Sequence, residues 1–436
     1  MSSSRGYWAR IINPNLKLLV LKAGALNRFD GDLTLADNKS VNRFHQEALP
    51  AAHGCLEAAR RLLPAIAAAG DRIEAERALP DEVLAAMHQA ELFRLTLPRF
   101  LGGAQPPLNI LAEVTETIAT ADASAAWCLG QALGCAMSAA FLDEAPARHV
   151  FEARDAVLAW GAGVEGRAVA TAGGYRVSGS WGFASGGKHA TWLGGHCRLF
   201  EADGSPRTTP AGEHARRTAL FPRVQARIAD DWYVLGLRGT RSEGYGVDDL
   251  FVEDALTLDR ETPQECRVDA TLYRFSTTNV YASVFSGVAL GIARGALEDL
   301  VALARHKQPR GAPSAMRDSA VVQTRLAELE AKLGSARAYQ QQVLAEIWQA
   351  VDETGTLAMD DRVRLRLATT HAINEATDVV EQVYRLAGAT AIFDSQPFER
   401  RFRDAHAVSQ QVQGRHTNYE TVGRFMLGLD VDTLFL

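Results

Sequence analysis

Cysteine is scarce and unpatterned in this chain: Cys55, Cys128, Cys135, Cys197 and Cys266 form an odd, scattered set with no C-x-x-C. That excludes a disulfide framework and a thiolate metal centre, and it fits a reducing, cytoplasmic compartment. No His, Cys and Asp residues fall at metal-ligand spacing, and neither a G-x-S-x-G elbow nor a P-loop occurs, so no metal is expected. Positive charge is not in excess. The 46 Lys and Arg face 52 Asp and Glu, a net charge of −6 that leaves no electrostatic footprint for nucleic acid. Apolar runs of the roughly 20 residues that a bilayer requires are also missing, and no membrane span is expected. The patch 16–21 is broken by Lys17 and followed by Lys22, too short and too charged for a signal peptide.

What is present is ordinary globular composition, 47% hydrophobic and 22% charged over 436 residues, which is too long for one simple core. From 49 to 141 Ala, Leu and Glu dominate and the reading is helical, with Pro64, Pro80, Pro98 and Pro106-Pro107 as boundaries. Asp81 and Glu82 open one helix after Pro80, and Asp122 or Ser124 caps a small-residue helix carrying Trp127 and Gln131. Between 156 and 253 glycine rises and short alternating runs replace helical periodicity, which argues for a β-barrel or sandwich. Strands are expected over 158–163, 174–183, 191–200, 232–240 and 245–252. After Thr277 helical periodicity returns, and Val322, Leu326, Leu329, Leu333, Ala336, Val343 and Ile347 form a bundle stripe that Gln340 interrupts. A further helix is expected over 361–386.

The most informative stretch is Gly174-Tyr175-Arg176-Val177-Ser178-Gly179-Ser180-Trp181-Gly182-Phe183-Ala184-Ser185-Gly186-Gly187. Tyr175, Val177, Trp181 and Phe183 alternate with polar or small residues on one face of a strand. Ser185 follows at once, ahead of glycines that admit a close backbone or a flat ligand. An aromatic strand ending in a hydroxyl can lie along a planar ring and hydrogen-bond its edge. An ordinary barrel strand with a Gly-Gly exit has the same pattern.

This stretch resembles the flavin-facing strand of the acyl-CoA dehydrogenase superfamily, and Phe183-Ala184-Ser185-Gly186 is closer to its two-component flavin monooxygenases. Three other stretches join the resemblance: Leu92 to Gly103, Trp232 to Thr240 with Tyr245 to Val252, and Arg403-Asp404. It covers residue 48 to the C-terminus and implies an α+β, mostly α fold: an N-terminal helical domain (45–150), a middle β-barrel or sandwich (151–268) and a C-terminal four-helix bundle (269–436). Residues 1–44 lie outside it and are an extension of unknown role: an arm onto a neighbouring subunit, a translated upstream segment, or a disordered one.

A dehydrogenase of this fold needs a carboxylate base. Arg415 stands where the C-terminal Glu belongs, and the alternative place, counted back from Ala289-Leu290-Gly291, falls at Tyr281; Glu420 is several residues off. The Arg-x-x-Phe-Gly element that holds FAD is unrecognisable at Arg305 to Gly311. The resemblance therefore implies the oxygenase component of a two-component monooxygenase. Such a component takes reduced flavin (FMN or FAD) from a separate reductase, adds dioxygen at C4a and oxidises a small aromatic, heteroaromatic or amine substrate. A homotetramer is implied as well. Ser185 is expected at the flavin N5, with Trp181, Phe183, Gly186, Trp127 and Arg403 around the cofactor and Gln131, Tyr281 and Arg241 toward the substrate. Arg241 replaces a glycine of the family pattern. His406, Gln411 and His416 are candidates for the proton-handling position, with His406 and Gln410 one turn apart on a helix. Two other readings stay open: a dehydrogenase with a displaced base and tightly held FAD, and a non-catalytic relative without flavin affinity.

Overall fold

The computed structural model describes residues 39–433 and Leu436, with side chains from Gly54 onward. Residues 1–38 of the expected extension lie outside the described residues. Five helices come first: α1 (Lys39–Glu76), α2 (Asp81–Gln89), α3 (Leu108–Ala121), α4 (Ala123–Ala136) and α5 (Glu144–Phe151). Pro64 does not bound a helix as expected but lies inside α1. Ala59, Ile66, Ala69 and Ile73 bury one face of α1, and that burial offsets the backbone hydrogen bond the proline cannot make. Asp122 caps α4 as expected, its carboxylate accepting from the Ala125 N–H at 2.8 Å.

An eight-stranded sheet follows: β1 (Leu158–Trp160), β2 (Gly166–Thr171), β3 (Gly174–Trp181), β4 (Trp192–Phe200), β5 (Arg216–Pro222), β6 (Arg227–Ile228), β7 (Tyr245–Glu253) and β8 (Thr257–Leu258). The order is β6-β7-β3-β2-β4-β5-β8, with β1 also on β4; β4 pairs in parallel with β1 and β2, and the other pairs are antiparallel. The expected strand over 232–240 is not one. Leu237 and Arg241 take positive φ (54° and 41°), and a single 3-10 turn, Arg238–Thr240, lies between them. At Gly236 a Cβ would stand 2.2 Å from the Arg403 carbonyl oxygen, so this segment docks on a helix instead of pairing in the sheet. Strands β2, β5, β6 and β8 were not foreseen. β6 is a two-residue exposed strand, and β2 buries only Gly166 and Ala168, residues too small to give an apolar alternation.

The chain closes with α6 (Thr277–His306), α7 (Ala320–Thr354), α8 (Met359–Ala387), α9 (Pro397–Ser409) and α10 (Thr417–Met426). Gly287 and Gly291 let α6 press on α3: a Cβ at either would stand 2.2 Å from a carbonyl oxygen of Ala112 or Glu116. Gln340 belongs to the buried stripe of α7, where its amide donates to the Ser286 hydroxyl at 2.6 Å. By length and hydropathy α6 matches a membrane span, contrary to the reading of the sequence, yet 89% of that window is buried. Its apolar character comes from running through the protein core between α3 and α8.

Candidate functional site

The β3 strand ends at Trp181, and the chain turns through Gly182 into Phe183 at φ 64°. This left-handed residue breaks the alternation, so the expected single wall of Trp181 and Phe183 does not form. Trp181 is 1% exposed inside the sheet, stacked on Tyr245 with centroids 5.4 Å apart, whereas Phe183 is 69% exposed with its edge against Trp232. A non-glycine residue at positive φ costs on the order of 1 kcal/mol and recurs at binding sites. Two residues on, Ser185 turns inward and is buried.

Ser185 stands in a row of buried hydroxyls. The Trp127 indole N–H donates to Ser185 Oγ at 3.0 Å, Ser185 and Ser242 are 2.7 Å apart, Ser242 and Thr240 2.7 Å, and Thr240 donates to the Leu237 carbonyl at 2.8 Å. Both ends fix the direction: an indole can only donate and a carbonyl can only accept. Each hydroxyl therefore donates toward Leu237, and Ser185 retains one acceptor lone pair and no free proton. The Gly186 N–H binds the Thr240 carbonyl at 3.0 Å, and the positive φ of Gly186, 75°, lets the two segments close.

Trp127 carries the site into the helices. Its ring stacks on Phe285 at 3.9 Å, and Phe285 stacks on Tyr281 at 5.3 Å, a ladder between α4 and α6. Gly134 makes room for Tyr281, since a Cβ there would come within 2.2 Å of the ring. The Tyr281 hydroxyl lies 3.5 Å from Cys135 Sγ, and the Gln131 amide is also 3.5 Å from that sulfur. Burial pushes the Cys135 thiol up to about 12 and the Tyr281 phenol well above its ordinary value, so both are neutral donors or packing groups near pH 7.

The remaining expected residues do not touch this cluster. Arg403 bonds Glu74 at 2.7 Å, Glu399 at 2.6 Å and the Leu235 carbonyl at 2.7 Å, an ion network rather than a cofactor contact. Arg241, at its former glycine position, pairs with Glu243 at 2.8 Å. His406 packs on Phe402 with its buried Nε2 unpartnered. The helix ends at Ser409, so Gln411 starts a new turn, where its side chain accepts from the Gln413 N–H at 2.7 Å, and His416 is exposed beside Tyr419. Asp404 is buried and accepts the Leu237 N–H at 2.6 Å; burial, with Asp122 and Glu74 nearby, pushes it up to about 7. A cavity of about 840 Å³ is bordered by Glu74, Arg77, Tyr233, Arg238 and Arg400, but none of its lining residues belongs to the Ser185 cluster. Its arginines are paired with Asp230, Glu74 and Asp71, so the Ser185 surface is the better candidate.

Residues 283–414 match the family model for the acyl-CoA dehydrogenase C-terminal domain. Over 354 residues, 81% of this chain and 88% of the relative, the sequence is 30% identical to indole-3-acetate monooxygenase of Pseudomonas putida. The chain belongs to the flavin-dependent monooxygenases. This oxygenase is also 28% identical to the flavin-dependent monooxygenase oxygenase subunit HsaA of Mycobacterium tuberculosis, over 82% of this chain and 90% of that one. Among solved structures it resembles the HsaA monooxygenase from M. tuberculosis (TM-score 0.79, 26% identity, 88% of this chain and 100% of that one). In fold it also resembles XiaF from Streptomyces sp. in complex with FADH2 and glycerol (TM-score 0.83, 24% identity, 90% and 100%). Its fold is thus the acyl-CoA dehydrogenase-like α+β architecture. Sequence reading of the oxygenase missed Ser242, which only the folded turn brings to Ser185, and the group formed by Trp160, His196 and Arg260 beyond Tyr281. Thr240-Arg241-Ser242 carried a signal for the first: a Ser two residues past a Thr in the family-like loop.

Proposed function

We propose that the chain is the oxygenase component of a two-component monooxygenase that takes reduced FMN or FAD from a separate flavin reductase and oxidises a small aromatic or heteroaromatic compound with dioxygen. The observation that carries this reading is the direction of the hydroxyl row. Ser185 has an acceptor to offer and no proton, which suits the N–H at N5 of reduced flavin and not the bare N5 of the oxidised form. The surroundings fit a flat ring: Gly182, beside which a Cβ would meet nothing within 4 Å, and the exposed Phe183. When bound, reduced flavin supplies the electrons that activate dioxygen. The chain's own residues then orient and exclude water. Trp127 holds Ser185 and, through Phe285 and Tyr281, bounds the space for an aromatic substrate, with Gln131 at its edge. Indole-3-acetate monooxygenase and resorcinol hydroxylase, both relatives, act on rings of this size by their names.

Among the candidates for proton handling, His406 keeps a buried unpartnered Nε2, Gln411 is engaged as a turn cap and His416 is exposed, but none touches the Ser185 cluster and the role is left unassigned. A cytoplasmic homotetramer is part of the same reading. Five free cysteines suit a reducing compartment, and exposed Tyr233, Leu235, Ile392, Phe393 and Leu427 suit burial between copies. The test is anaerobic titration with reduced and oxidised FMN and FAD, followed by product analysis under ¹⁸O₂ with a reductase and NADH. The expected result is at least tenfold tighter binding of one reduced flavin and label in an aromatic product. Equal or absent binding of both redox forms overturns the proposal.

A further inference from the structure

Beyond Tyr281 lies a positive charge with no carboxylate. Arg260 crosses the Trp160 ring at 4.2 Å, and its Nη1 donates to the hydroxyl of Thr277, the first residue of α6, at 2.5 Å. Its Nε is buried without a partner. Of the acids nearest in sequence, Asp259 holds the Glu261 N–H and the Thr262 hydroxyl, Glu265 pairs with Arg217, and the exposed Glu261 makes no ion pair with Arg260. Among the described residues no ion pair to Arg260 forms. Leaving a cation here is unfavourable by itself, because the first turn of a helix is its positive end and an unmet interior N–H costs about 1–3 kcal/mol.

The neighbours define a recess. The charge of Arg260 is felt at Tyr281, Cys135 and His196, and Trp160 meets the His196 ring edge-on at 5.2 Å. His196, Tyr281 and Gln131 each keep partial exposure between buried chain neighbours, and Arg260 is half-buried at the start of an exposed turn, so none of the four is sealed from solvent. No group on this rim is anionic: His196 is held neutral by burial, down to about 3, and bonds Thr218 at 2.7 Å. Aromatic faces with one unpaired guanidinium make a receptor for a ring that bears an anion.

We propose that Arg260 receives a carboxylate of the substrate, so that this oxygenase acts on aromatic acids with a short acidic arm. With Nη1 held by Thr277, the Nε–Nη2 edge remains, and that edge matches a carboxylate's two oxygens. Trp160 fixes the plane of the fork, while the Trp127–Phe285–Tyr281 ladder bounds the ring. Arg260 is a substrate-binding, specificity-determining residue in this arrangement. The inference rests on the aromatic-oxygenase reading above.

The test is calorimetric binding of a matched pair, indole-3-acetate and indole-3-acetamide, to the wild-type chain, Arg260→Met and Arg260→Lys, with no flavin present. The wild type is expected to prefer the acid at least tenfold, Arg260→Met to bind both alike, and Arg260→Lys to fall between. In turnover the Arg260→Met change is expected in KM for the acid rather than in kcat. Equal affinity of the wild type for the pair, none for either included, or an undiminished preference in a folded Arg260→Met, overturns the proposal. Failure of the oxygenase reading shows separately, as absent discrimination between reduced and oxidised flavin by the wild type.

Discussion

Arg403 and Arg260 are both partly buried, and they are satisfied in opposite ways. Arg403 meets two carboxylates and a backbone carbonyl, tying α9 to α1 and to the 232–237 segment. Arg260 meets one hydroxyl and the face of an indole. A guanidinium with all its neighbours supplied by the protein is a fastener, and one left short of an acceptor has capacity for a ligand. By residue type the two are indistinguishable in the sequence, and there the Arg-Asp pair drew attention to the fastener.

The largest expected effect separates them directly. Arg403→Met leaves Glu399 without its cation and Glu74 with Arg238 alone, and should cost about 3 kcal/mol in urea unfolding. Arg260→Met removes an unmet donor and should change stability by less than about 1 kcal/mol. Equal losses would erase the distinction. Next in size, Gly134→Ala drives a methyl into the Tyr281 ring and should cost about 2 kcal/mol. Aromatic ligands should weaken with it; a Gly134→Ala protein of wild-type stability and affinity removes Tyr281 from the recess. Ser185→Ala deprives the Trp127 N–H of its acceptor, with an expected loss of about 1 kcal/mol and weaker binding of reduced flavin in fluorescence titration.

A last effect is confined to a pH window. Asp404 is held at about 7 in the fold, above its ordinary 3.8, so the folded state retains a proton the unfolded chain loses. Its contribution is therefore fully present below about pH 4 and is lost as pH rises through 7. Asp404→Asn, which keeps the oxygen facing the Leu237 N–H, should match the wild type in Tm at about pH 4 and exceed it increasingly up to about pH 7. A constant difference across that range would mean that Asp404 does not titrate there.

The helices and the central strand were legible because their signals are local. Asp122 caps α4, the α7 stripe buries from Leu329 to Ile347 with Gln340 inside it, and β3 runs from Gly174 to Trp181. What escaped depends on contacts between distant segments. Pro64 survives inside α1 because the body of the protein buries that face. Residues 232–240 look like a strand by alternation, but Gly236 is claimed by the Arg403 backbone. The site divided along the same line. Ser185 and Trp127 were readable from type and motif, and the structure joins them. The placement of Phe183 turned on one positive φ that no periodicity shows, and Arg260 became notable only once its neighbours were known to lack an acid.

The hydroxyl row also bears on traffic. Four donors all point one way, from Trp127 toward Leu237, and reversing Ser185 would set its proton against the indole N–H. On the proposed reading this works as a sorting gate. A visitor bearing hydrogen at N5 is held, and the same visitor after losing it faces lone pair against lone pair. An open flank at Phe183 then gives it a way out. Such a site would need no tight grip and no moving lid to hand its carrier back to the reductase.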